Sequence, residues 1–193
     1  MEKNRLEAFS DGVLAVAITI MVLELKAPVQ ARGLSDLQEL APAFFSYVLS
    51  FIYIGIYWNN HHHLLQATKT VTGGILWANL YLIFWLTLFP FTSAWVSQHF
   101  DASTPSAVYG VVLLMAAIAY YTLQTVIIRT QGPDSLLARA VGRDWKGRLS
   151  PLAYLAAIPL AYVHPWIADG LYTAVALLWL VPDRRIERIL TEG

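Results

Sequence analysis

Apolar residues run along this chain in blocks of helical length, not in strand-like alternation. A helix that crosses a bilayer needs about 20 apolar residues. By that ruler the blocks predict six spans, over 6–25, 41–64, 74–97, 105–128, 149–164 and 168–182. The connections at 28–39, 66–73, 98–104, 130–148 and 164–170 are polar or broken by Pro and Gly. None has room for a soluble domain, so residues 1–193 read as one all-α, six-helix membrane domain. Pro151, Pro159 and Pro165 should kink or end the last two helices, and Pro90-Phe91 should kink the third, because proline removes a backbone donor and crowds the preceding turn.

Composition strengthens the membrane assignment: 57% of residues are hydrophobic, and 13 basic residues balance 13 acidic ones. A neutral chain offers no electrostatic footprint for nucleic acid. The absence of cysteine excludes disulfides, thiolate nucleophiles and Cys-ligated metals. Glu2, Lys3 and Arg5 at the mouth of the first span, with no small-residue cleavage site after it, mark a retained helix and not a signal peptide. Lys3, Arg5, Lys69, Arg129, Arg139, Arg143, Lys146, Arg148, Arg184, Arg185 and Arg188 fall on one side of the predicted membrane, against Lys26 and Arg32 on the other. That bias puts both termini in the cytoplasm, and a compact chain of this kind suits a prokaryotic plasma membrane. The segment 134–148 reads as an amphipathic interfacial helix that turns Leu136, Leu137, Val141 and Trp145 toward lipid headgroups.

Polar residues inside a span are expensive and ask for partners. Arg5, Ser10 and Asp11 sit at the start of the first span, where 5–11 reads Arg-Leu-Glu-Ala-Phe-Ser-Asp. Further along the same helix, Val16, Ile20 and Leu23 form a narrow stripe with Thr19 at its edge, and Gly12, Ala15 and Ala17 lie between them. A stripe of this kind is also ordinary in packed or lipid-facing helices. Asp11 lies about 140° from Val16 on the helical wheel. It is therefore expected to point into the bundle and, with its neighbours, to act as a structural latch. Glu24 closes the helix; an acid there ordinarily solvates a helix end, although a ring of such acids also concentrates cations.

Arg5, Phe9, Ser10 and Asp11 reproduce the Arg-x-x-x-Phe-Ser-Asp signature of the transmembrane protein 175 family, lysosomal potassium channels with prokaryotic relatives. The resemblance extends through Tyr57-Trp58-Asn59-Asn60-His61-His62-His63-Leu64, through Asn79 to Thr92, and through Pro182 to Arg188. A single motif in a six-span chain is similar to the prokaryotic branch, which implies a homotetramer with the first helix of each subunit lining a central pore. By position, the resemblance implies a hydrophobic constriction at Val16, further rings at Ile20 and Leu23, and an influence of Thr19 on cation preference. Val16 is smaller than the Ile or Leu usual at the first ring. Apolar rings gate by dewetting and need no carbonyl filter, and the chain contains no Thr-Val-Gly-Tyr-Gly loop. The implied function is potassium conduction with modest selectivity over sodium, without a cofactor, in contact with membrane lipid. On the stripe alone, Asn at Val16 or Ile20 should wet the constriction, while Asn at Ala17 should do less.

His61, His62 and His63 invite a metal, yet consecutive helical residues diverge by about 100° and cannot converge on one ion. The resemblance instead places His61 or His62 against the first-helix motif, near Trp58 and Asn60. Asn79, inside the third helix, is expected to bond to a neighbouring helix, with the same latch a candidate partner, and His63 is expected to face water. Histidine titrates near neutrality, so such a latch would make opening sensitive to pH. Two other functions remain open. A secondary transporter would show broken helices or a coupling acid in two related halves. A histidine-based membrane metalloenzyme would show an acid or further ligands facing the imidazoles, such as Glu-x-x-His. Neither pattern is found.

Overall fold

The computed structural model describes residues 2–26, 38, 40–133, 135, 137–138 and 145–180. Among them the protein is all helical: α1 (Lys3–Leu23), α2 (Ala41–Gln66), α3 (Gly73–Leu86), α4 (Phe89–Gln98), α5 (Ser103–Gln131), α6 (Trp145–Ala161) and α7 (Pro165–Leu180). Four stretches are long and apolar enough to cross a membrane: α1, α2, α5, and α3 with α4 taken together over Gly73–Gln98. The shorter α7 is also apolar.

The predicted kink in the third span is a break. Without an N–H, Pro90 cannot bond to the carbonyl four residues back. α3 accordingly ends at Leu86, and the Leu88 N–H turns to Trp85 O at 3.2 Å before α4 resumes. Pro151 and Pro159 are carried inside α6, whereas Pro165 starts α7. Both helices begin three or four residues earlier than the sequence pattern suggested. The expected interfacial helix falls mostly outside the described residues, as does the Pro182–Arg188 motif. Leu137, expected against headgroups, is instead buried in the core, and Trp145 already belongs to α6.

Lipid is as apolar as leucine, so shape and hydrogen bonds must hold such a bundle together. α5 packs on α3, α4, α6 and α7, while α1 leans chiefly on α2, α3 and α4. Tyrosine hydroxyls stitch the interior. Tyr53 donates to Tyr172 O at 2.6 Å, Tyr154 to Tyr53 Oη at 3.3 Å, and Tyr172 to Ser106 O at 3.2 Å, while Ser50 and Tyr109 share a bond of 2.9 Å. Tyr109 and Tyr172 are thus packing anchors. Gly110 makes room for this: a Cβ there would overlap the Tyr172 hydroxyl and lie 2.8 Å from its Cζ. Gly110→Ala is expected to cost about 1–3 kcal/mol by overpacking, seen as a lower melting temperature in detergent.

One end of the bundle is tied together by polar contacts. Lys3 Nζ donates to Gln66 O at 3.4 Å, Gln131 joins the Lys69 and Thr70 backbone, and Lys146 Nζ donates to Leu178 O at 3.2 Å. Lys3, Lys69, Arg129, Lys146 and Arg148 therefore gather at this end.

Candidate pore-lining site

α1 buries Leu6, Ser10, Leu14, Ala17 and Met21, spaced four, four, three and four residues apart, against its neighbours. The stripe of Val16, Ile20 and Leu23 faces away from that contact, with exposures of 58%, 44% and 68%, and Thr19 is exposed beside it. Thr19 Oγ1 donates to Ala15 O at 2.8 Å, which keeps its proton on its own helix. Glu24 is the exposed C-cap at the end of α1 opposite Lys3. A groove of about 510 Å³ runs beside the stripe, from Ala8 and Gly12 to Val16 and Ile20, with Thr87 and Pro90 of the α3–α4 break as its other wall.

Behind the stripe, the polar residues of α1 divide into two separate sets. The buried set joins three helices. Ser10 Oγ donates to Leu6 O at 2.9 Å, Asn79 Nδ2 donates to Ser10 Oγ at 3.0 Å, and His61 Nε2 lies 2.7 Å from Asn79 Oδ1. Because the amide nitrogen is committed to Ser10, its oxygen must accept, so His61 carries its hydrogen on Nε2. Every hydrogen then points from α2 through α3 to α1. An imidazolium keeps the Nε2–H, so titration of His61 would change charge without breaking this bond.

The second set is exposed. Asp11 Oδ1 accepts from Trp58 Nε1 at 3.0 Å, and Trp58 stacks on His62, whose Nε2 lies 2.9 Å from Gln66 Nε2. Asp11 therefore does not point into the bundle as the wheel suggested, but lies on the protomer surface. The angle from Val16 was sound; the side opposite a stripe at the rim of an exposed arc is not necessarily the buried side. Arg5 and Phe9 are also exposed, and among the described residues the Arg5 guanidinium has no side-chain partner. Asn60 turns back to Ile56 O at 2.8 Å, away from the motif. His63 is half-buried, and its Nδ1 is buried without a hydrogen-bond partner. Ala17, the intended comparison for the stripe, is buried. Sequence reasoning missed Gln66 and the Thr87 wall; only the i, i+4 spacing from His62 hinted at the former.

Over its full 193 residues the chain is 52% identical to a potassium channel of Chryseobacterium sp. (strain P1-3), the match covering both chains completely. Residues 5–90 match the family described as the endosomal/lysosomal potassium channel TMEM175. The chain belongs to the TMEM175 family. A potassium channel of Chamaesiphon minutus is 32% identical, covering 91% of this chain and 92% of that one. Among solved structures, the crystal structure of a lysosomal potassium-selective channel TMEM175 homolog from Chamaesiphon minutus aligns with a TM-score of 0.81 and 30% identity. It covers 93% of this chain and 97% of its counterpart. The family match over residues 5–90 and the full-length match to the Chryseobacterium channel both include α1, the histidines and Asn79, and this is a multi-pass membrane protein of an ion-channel family.

Proposed function

We propose that this protein is a potassium channel with modest selectivity over sodium, passive and without cofactor, formed by four copies around a central pore lined by α1. The observation that carries the reading is the uncovered apolar stripe of Val16, Ile20 and Leu23 on a helix whose opposite face is packed. Full-length likeness to relatives named as potassium channels supports the choice of ion. Four copies of the stripe make three stacked apolar rings, which pass ions only when wetted. Thr19 adds a hydroxyl beside the rings, and Glu24 supplies an outer acid ring that favours cations. Ser10, Asn79 and His61 fix the rotation of α1 so that the stripe meets the axis, while Arg5, Phe9, Asp11, Trp58 and His62 present the motif's remaining groups at the surface where a neighbouring subunit would lie. Asn60 stabilises α2 locally. The basic end of the bundle is cytoplasmic in this reading, with both termini there.

The transporter reading lacks a second copy of the motif in a related half. The metalloenzyme reading loses support because His61 bonds to Asn79 and His62 to Gln66, and no three His, Cys, Asp or Glu side chains among the described residues are grouped to hold a metal ion. Flux from potassium-loaded proteoliposomes tests the proposal: faster dissipation of potassium than of sodium gradients, without any coupling ion, is expected. Absence of passive flux from folded, oligomeric protein would return the transporter to first place.

A further inference from the structure

Two spaces lie between α2 and the helices α5, α6 and α7, and α1 contributes to neither. One is a cavity of about 50 Å³ walled by Tyr53, Tyr57, Tyr120, Tyr154 and Ser150. The other is a groove of about 260 Å³ on the outer surface, running along α2 from Phe51 past Gly55 to Asn59 and bounded by Leu180. They meet at Ile56, Asn60 and Trp179, which line both.

Tyr57 is only 9% exposed and lines the cavity, and none of the hydrogen bonds among the described residues engages its hydroxyl, which stays accessible from the cavity. The polar tip of a tyrosine ordinarily finds a partner. The groove is apolar along Phe51, Ile52 and Gly55, and a Cβ on Gly55 would meet nothing within 4 Å. Its length from residue 51 to 59 is about 12 Å of helix. Asn59 and Asn60 mark its polar end. Close by, Lys146 Nζ sits 6.0 Å over the Trp179 ring, and Arg148 is exposed on the same first turn of α6. No acidic side chain among the described residues lines either space.

An apolar trough, a tyrosine hydroxyl open to the adjoining cavity and positive charge at one end match the parts of one kind of molecule. We propose that an anionic phospholipid occupies this cleft. Its acyl chain lies along Phe51 and Gly55, an ester carbonyl accepts from the Tyr57 hydroxyl, and its phosphate sits beside Lys146 and Arg148. Zwitterionic lipid fills the same trough but gains little from the two bases.

Native mass spectrometry of the oligomer in mild detergent, titrated with dioleoyl phosphatidylglycerol or dioleoyl phosphatidylcholine, tests this independently of ion conduction. The expected result is about thirtyfold tighter binding of phosphatidylglycerol, as two juxtamembrane bases would give. Lys146→Gln with Arg148→Gln removes that preference, Tyr57→Phe weakens both lipids, and Gly55→Phe fills the trough and abolishes both while the subunit number stays the same. Equal binding of the two lipids, or wild-type binding by Gly55→Phe or Tyr57→Phe, would overturn the proposal. So would a changed subunit number in Gly55→Phe, which would mark the cleft as a contact between copies.

Discussion

Val16→Asn and Ile20→Asn are each expected to raise cation flux from proteoliposomes and to bring potassium and sodium rates together, whereas Val22→Asn should leave both close to wild type. The three positions are all exposed on α1, so none of these changes disturbs the packing of the protomer. They differ in direction: Val22 lies about 120° from Val16 on the helical wheel, and Ile20 only about 40°. In the proposed channel, four amides at either stripe position give water and partly dehydrated ions hydrogen-bonding partners where only methyl groups stood. The dewetting barrier falls, and with it the penalty that sodium, the more strongly hydrated ion, pays at the constriction. A barrier lower by about 1.4 kcal/mol is a tenfold gain in flux, and an effect of that order is expected. Ala17→Asn, attractive on the wheel alone, is a poor control because Ala17 is buried and an amide there would be stranded within the bundle. If Val22→Asn behaved like the stripe variants, the exposed arc of α1 would be an undifferentiated lipid or packing surface, and the pore assignment would fail.

The wheel shows both what the sequence could reveal and where it stopped. Long apolar blocks made the helices legible because a bilayer demands about 20 residues with every backbone group satisfied internally. The break at Thr87-Leu88 was anticipated only as a kink, since proline announces a lost hydrogen bond without saying how many residues the turn will take. Periodicity separated Val16 from Asp11 by angle, but angle is relative. In a soluble helix the apolar face is the buried one, whereas in lipid both faces are apolar and the small and polar residues Ser10 and Ala17 mark the inside. That inversion explains why the exposed stripe is legible as a stripe, while the side of the helix on which Asp11 falls is not. The histidine run was similarly ambiguous. Adjacent residues must diverge, but which of the three meets Asn79 depends on how α2 is rotated against α3, and no local signal fixes that. Longer-range contacts such as Ser46 Oγ to Ser93 O, 2.9 Å across α2 and α4, leave no trace in a single sequence.

Asn79→Leu is expected to be the most damaging single change in the polar set, and to act on folding before it acts on conduction. The amide is fully buried and spends both of its ends, accepting from His61 and donating to Ser10. Leucine leaves the imidazole N–H bare and takes a donor away from the serine. In water-accessible proteins each stranded group costs about 1–3 kcal/mol; in bilayers, interhelical bonds average less, because an unfolded helix also finds partners. About 2–3 kcal/mol is the expected loss, measured as a lower melting temperature and a smaller folded peak in detergent. Ser10→Ala should cost less than Asn79→Leu, since Asn79 keeps its bond to His61. Arg5→Ala and Asp11→Ala should leave the melting temperature of the protomer nearly unchanged, because Arg5 is exposed and Asp11 loses only a surface bond with Trp58. Any damage those two cause should therefore appear as altered subunit number or flux. That ordering separates a network that sets the rotation of α1 inside one subunit from surface groups that act between subunits. Equal melting losses at Arg5 and Asn79 would merge the two sets into a single latch.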